Sequence, residues 1–154
     1  MDTREPENRK ILWGKCLLNG LLAWVLGFAL YMIPAFVVAI QMGFDLGPKL
    51  KDNAAVSRQI SEAISDMYRS NSYLAIGLVL AMAALTYWRS RRVARTPSIR
   101  YLTNGAIVGS VPALITLAVS AFRGITIGTI VEIVIFIAAG VVGSLKAKPT
   151  AEPR

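Results

Sequence analysis

Glu132 is the one charged residue inside four long stretches of this 154-residue chain that otherwise carry no charge. These stretches cover 16–44, 70–88, 101–122 and 124–145. A carboxylate within an apolar helix is costly, and such residues mark proton relays, cation sites or hydrogen-bonded clamps. Glu132 lies seven residues past Ile125, about 10 Å along a helix rising 1.5 Å per residue. Tyr31 and Thr116 stand at similar depths in their own stretches, and Arg123 lies just above. Pro34 and Pro112 also deprive the carbonyls of Leu30 and Val108 of their helical donors. A protonated Glu132 would donate to such an oxygen, and an ionised one would pair with Arg123. The intramembrane polar site Glu132, Tyr31, Thr116 and Arg123 therefore has two readings. It is a polar clamp between helices, or a proton- or cation-coupling centre.

Other reactive types are scarce. The chain contains no histidine, which excludes bis-His haem ligation, His-containing metal sites and imidazole catalysis. Its single cysteine, Cys16, excludes an intrachain disulfide and CxxC redox chemistry. Cys16 precedes the apolar stretch and follows Lys15, the reverse of a lipoprotein cysteine. Paired intramembrane acids, a HExxH motif and a glycine-rich phosphate loop are all missing from the sequence. The expectation is a non-enzymatic protein with no catalytic residue, metal site or cofactor.

Small residues four apart form a second constellation. Ala23-xxx-Gly27, Gly105-xxx-Gly109, Gly124-xxx-Gly128 and Ala139-xxx-Gly143 each place two small side chains on one helix face, where backbones can approach closely. They predict packing within the monomer or a surface for a second copy. The third constellation is the basic run of Arg89, Arg91, Arg92 and Arg95. It predicts a positive membrane-facing loop, in contact with anionic lipid or an acidic cytosolic partner. No recognisable nucleic-acid-binding motif accompanies it, so no nucleic acid is expected.

These residues require membrane helices to position them. Apolar residues make up 55% of the chain and mean hydropathy is +0.53. A 16.7 kDa soluble domain has too much surface relative to its volume to hide that content. Counting uncharged runs against the roughly 20 residues needed for a span predicts four spans, at about 16–41, 71–88, 101–122 and 125–145. The first is too long for a signal-peptide core and is expected to be retained.

Between the first two spans, Val56, Ile60, Ala63, Ile64 and Met67 recur at helical spacing after Asp52-Asn53. They predict an amphipathic helix over 53–69. Thr96-Pro97 predicts a cap and first turn before the third span, and Arg123-Gly124 a tight turn after it. The match of Gly27…Pro34 with Gly105…Pro112 is compatible with an old duplication of a two-helix unit.

Seventeen Lys and Arg face nine Asp and Glu, for a net charge of +8. Twelve of the basic residues fall on the side of the N-terminus and five on the other. The positive-inside rule then places both termini in the cytoplasm. The fold predicted is an all-α, integral membrane four-helix bundle, one membrane domain over 1–154, with the amphipathic helix in the outer loop. The setting expected is the cell (inner) membrane. The partners expected are the lipid bilayer and a second copy or a larger membrane complex. The function expected is that of an accessory, assembly or stabilising subunit, with a small transporter or channel subunit centred on Glu132 as the alternative.

Overall fold

A computed structural model of the chain describes residues 11–46, 53–96 and 100–147, with the side chain of Arg123 left undescribed. Among the described residues there are five helices and no strand. They are α1 (Trp13–Leu46), α2 (Asn53–Ser70), α3 (Ser72–Ala94), α4 (Tyr101–Arg123) and α5 (Ile127–Lys146). Helices α1, α3, α4 and α5 are long and apolar enough to cross a membrane. No more than 28% of the apolar window of any of them is buried. Leu18, Ile33, Leu114, Val134 and many like them face outward instead. This is the pattern of a multi-pass membrane protein, because lipid accepts apolar side chains that water would reject. Helix is the form such segments take, since lipid offers no partner for a free backbone N–H or C=O.

The boundaries differ from the sequence expectation in an instructive direction. Helix α1 has 34 residues, about 51 Å at 1.5 Å each, against a hydrocarbon layer of about 30 Å. Helix α3 runs six residues past Trp88 to Ala94, so Arg89, Arg91 and Arg92 lie on a helix rather than in a connection. Charge does not end a helix. Arginine is a good helix former, and its long stem lets the charged head reach polar surroundings.

The caps at Asp52 and Pro97 fall outside the described residues. Asn53 opens α2, and α4 opens at Tyr101 without a side-chain cap. Pro34 and Pro112 sit inside α1 and α4, which continue through them.

The chain divides into two compact units, one of residues 1–26 with 81–154, the other of residues 27–80. In the second unit, the α2 stripe of Val56, Ile60, Ala63, Ile64 and Met67 is half-buried. Arg58, Glu62, Asp66 and Arg69 are exposed, as the helical period requires. Tyr68 of α2 lays its ring on Tyr31 of α1, with centroids 4.4 Å apart and planes 7° from parallel. Its hydroxyl donates to the Tyr31 carbonyl. Asn71 alone separates α2 from α3, and its side chain accepts from the Leu74 N–H (3.1 Å).

The first unit packs the start of α1 and the end of α3 with α4 and α5. Cys16, Val93 and Val108 form its apolar cluster, with Leu12 and Ile107 against them. Its fully buried side chains are small or polar: besides Cys16 and Val108 they are Asn104, Thr86, Pro112, Ser90 and Ser144. In lipid no hydrophobic force drives helices together, so close backbone approach and interhelical hydrogen bonds take its place.

Candidate helix-packing site

Helices α4 and α5 form an antiparallel hairpin that opens with two local devices. Gly124 takes a φ of +96° between them, a conformation that L side chains rarely adopt. Thr126 then caps α5: its Oγ1 accepts from the Thr129 N–H (3.2 Å), and Thr129 Oγ1 accepts from the Thr126 N–H (3.4 Å). Thr129 Oγ1 also donates across the hairpin to Ser120 Oγ (3.4 Å).

Farther along, the two backbones touch. A Cβ on Gly109 would lie 2.5 Å from the Phe136 carbonyl and 2.9 Å from Ile137 Cα. One on Gly105 would collide with Ser144 Oγ and with the Gly140 carbonyl at 2.6 Å. One on Gly140 would meet the Gly105 carbonyl and the Gly109 nitrogen. Only glycine fits these three positions with the helices at this distance.

Helix α3 closes the other side. A Cβ on Gly143 would strike the Tyr87 carbonyl, and Ser90 Cβ would be 3.1 Å away. Ser90 Oγ donates to the Gly140 carbonyl (2.5 Å) and lies 2.9 Å from Ser144 Oγ, which also donates to that carbonyl (2.9 Å). Both serines are fully buried, so this polar knot is dry and satisfied within the protein.

Helix α1 joins through Gly20, where a Cβ would stand 2.6 Å from Val111 Cβ, and through the fully buried Ala23. At its start, Asn104 Oδ1 of α4 accepts from the Leu12 N–H (3.2 Å), satisfying a donor that a helix start leaves free.

The expected packing residues thus divide. Gly105, Gly109 and Gly143 are in the seam, and Ala23 and Gly27 are buried on α1. Gly124 and Gly128 are not brought to it. Gly124 lies in the turn rather than on α5, and both are exposed with no neighbouring helix within 4 Å of an added Cβ. Ala139 is half-buried, while Gly140 and Ser144, which also stand four apart, meet α4. Gly20, Ser90 and Asn104 are further members that the motif reading missed. The signal for Gly20 was present: Cys16, Gly20, Ala23 and Gly27 follow one another on one helical face.

Glu132 lies half-buried on α5, on the face of Thr129 and Phe136. The pairs Gly109–Phe136 and Ser120–Thr129 set a register that makes Thr116 level with it. No hydrogen bond or ion pair joins Glu132 to Thr116 or to any other described residue. Tyr31 is engaged with Tyr68. Of the other residues expected at this polar site, Tyr31 belongs to the second unit and the Arg123 side chain lies outside the described residues, so the structure bears on the Glu132–Thr116 pair alone. A hydrogen-bonded clamp among the described residues of this unit is built from Ser90, Ser144 and the Gly140 carbonyl.

Chemically, the seam consists of satisfied hydroxyls, carbonyls and glycine Cα atoms. It holds helices together and presents no acid–base pair or activated nucleophile. No family model matches the chain, and no curated protein or solved structure matches it either.

Proposed function

We propose that this protein works by helix packing, as a non-enzymatic accessory, assembly or stabilising subunit or as a homo-oligomer. The observation that supports this reading most is the composition of the interior. Buried polar groups are spent on one another at the Ser90–Gly140–Ser144 knot, and outward-facing apolar residues dominate the spans. Pull-down of the full chain in a mild detergent, with the mass of the eluted particle, is the test. A stoichiometric partner or a second copy is expected, and a lone monomer eluting free of other proteins would refute it.

The proposed setting is a cell (inner) membrane with both termini cytoplasmic, supported by the asymmetry of the basic residues. Reporter fusions after Asp66 and after Arg95 should give opposite signals, and matching signals would overturn this orientation.

A second reading is favoured by one observation. Glu132 is a carboxylate inside an apolar helix with no partner among the described residues, and such a group is suited to take a proton or a cation. In proteoliposomes, a proton or cation flux that Glu132→Gln abolishes would establish transport, and absence of flux in the native protein would dismiss it.

A further inference from the structure

The last two turns of α3 present two unlike faces. Thr86, Ser90, Val93 and Ala94 are buried and pack the end of the helix into the first unit. Trp88, Arg91, Arg92 and Arg95 are exposed. Arg91 and Arg92 stand three and four residues on from Trp88, one turn away on the same face, and Arg95 follows immediately past the end of the helix. Arg89 stands beside that face, its guanidinium carbon 4.9 Å from the centroid of the Trp88 ring. Its Nε is buried and has no hydrogen-bond partner among the described residues.

Nothing acidic neutralises this face from within the described part of the unit. The sequence holds no Asp or Glu between Asp66 and Glu132, and Glu132 lies twelve residues before Ser144, about 18 Å along α5. Other elements add to the positive charge. The bonds from Leu12 to Asn104 and from Ser90 to Ser144 place the start of α1 and the end of α5 at this same end of the unit. They bring Trp13, Lys15 and Lys146, all exposed.

We propose that the Trp88–Arg91–Arg92–Arg95 face is a binding site for the headgroups of anionic phospholipids. Trp88 is the apolar anchor at the headgroup level, and the arginines receive phosphate oxygens in bidentate fashion. The chemistry favours lipid over an acidic protein. A tryptophan followed by a cationic face, at the end of an apolar helix, matches a surface whose depth runs from hydrocarbon to phosphate. Arginine forks pair with phosphate through two parallel N–H···O bonds. Topogenic positive charge needs no lipid preference, so the site makes a claim that orientation does not. It also stands apart from the packing reading, requiring only that the chain be in a bilayer.

The test uses the full chain with Trp88 as its sole tryptophan (Trp13→Phe, Trp24→Phe) in phosphatidylcholine vesicles. Quenching of Trp88 by brominated phosphatidylglycerol is compared with quenching by brominated phosphatidylcholine at equal mole fraction. Anionic lipid should be enriched several-fold around Trp88, within a ceiling of roughly fivefold for each basic residue held near the surface. The enrichment should fall at about 1 M salt, where the screening length is about 3 Å.

The R91Q/R92Q/R95Q variant should lose the enrichment, and R91K/R92K/R95K should keep only the part that charge without the fork supplies. Helicity and unfolding midpoint are recorded for each. Quenching in the native arginine background that follows bulk lipid composition overturns the proposal without any arginine variant. So does enrichment that survives R91Q/R92Q/R95Q. Loss of enrichment to millimolar inorganic phosphate would mean a free-anion site. Tight binding of polyglutamate without lipid enrichment would mean an acidic protein. Either result overturns the assignment to lipid.

Discussion

Replacing Gly109 with alanine tests whether the α4–α5 seam depends on direct backbone contact. The new Cβ would stand 2.5 Å from the Phe136 carbonyl, 2.9 Å from Ile137 Cα and 3.1 Å from the Phe136 carbonyl carbon. All three atoms are backbone, so no rotamer change relieves the overlap. Ordinary contact begins near 3.4 Å, which requires the helices to part by close to 0.9 Å. A gap of that size forfeits about a quarter to a half of each dispersion contact along the seam. Overpacking of this kind costs about 1–3 kcal/mol. Alanine recovers up to about 1 kcal/mol through its better helix propensity. We predict a net loss of roughly 1–2 kcal/mol.

Gly77→Ala is the control. It lies inside α3 with no atom within 4 Å of its added Cβ, so only the propensity gain applies. Reversible unfolding in mixed detergent and SDS micelles, followed by circular dichroism, measures both variants. Gly109→Ala should unfold at lower SDS than the native protein, and Gly77→Ala at equal or higher SDS. Equal midpoints for the two variants would refute the claim that glycine at 109 is there for backbone contact.

Ser90→Ala and Ser144→Ala in a double-mutant cycle should show a coupling of about 0.6 kcal/mol, and no more than about 1.7, the range of hydrogen bonds inside membrane proteins. Zero coupling would mean that the two hydroxyls act independently through the Gly140 carbonyl.

Tyr68→Phe keeps the ring stack on Tyr31 but removes the hydroxyl donor, and should cost about 0.5–1.5 kcal/mol in the same assay. Burial, together with the neighbouring Tyr31 phenol, pushes the Tyr68 phenol above its ordinary value of 10.0, although the Ala35 backbone N–H, which favours the ionised oxygen, works the other way. A raised phenol favours the folded form below the ordinary value and loses that contribution as pH rises through the folded value. The difference in ultraviolet absorbance titration between native protein and Tyr68→Phe should therefore show ionisation above pH 10. A transition at or below that value would contradict the packing of α2 on α1.

Glu132→Leu should leave the SDS midpoint unchanged or raise it, since no hydrogen bond to another described residue is lost and a carboxylate is removed from an apolar helix. A loss of about 1 kcal/mol would reveal a partner for the carboxyl.

Much of this architecture is written along the chain in one dimension. Uncharged runs located the four long helices, because a segment in lipid must close its own backbone hydrogen bonds and carry almost no charge. The period of Val56, Ile60, Ile64 and Met67 located α2 and its half-buried stripe, because 3.6 residues per turn lets composition alone define a face.

The partners of each face are another matter. Ala139 and Gly140 are neighbours in sequence and equally small, yet only the rotation of α5 against α4 decides that Gly140 meets Gly105 and Gly109. Ser90 sits among arginines and reads as part of a polar connection until α3 continues past Trp88 and turns it onto Ser144. That same continuation sets Arg91 and Arg92 one turn from Trp88, with Arg95 just past the helix end. Glu132 drew attention as the lone charge within the apolar runs, while the described hydrogen bonds between α3 and α5 are made by two uncharged serines. Helix identity follows from local hydrogen bonding and solvent. The choice of neighbour follows from the register and rotation of whole helices, set by the sum of all their contacts at once.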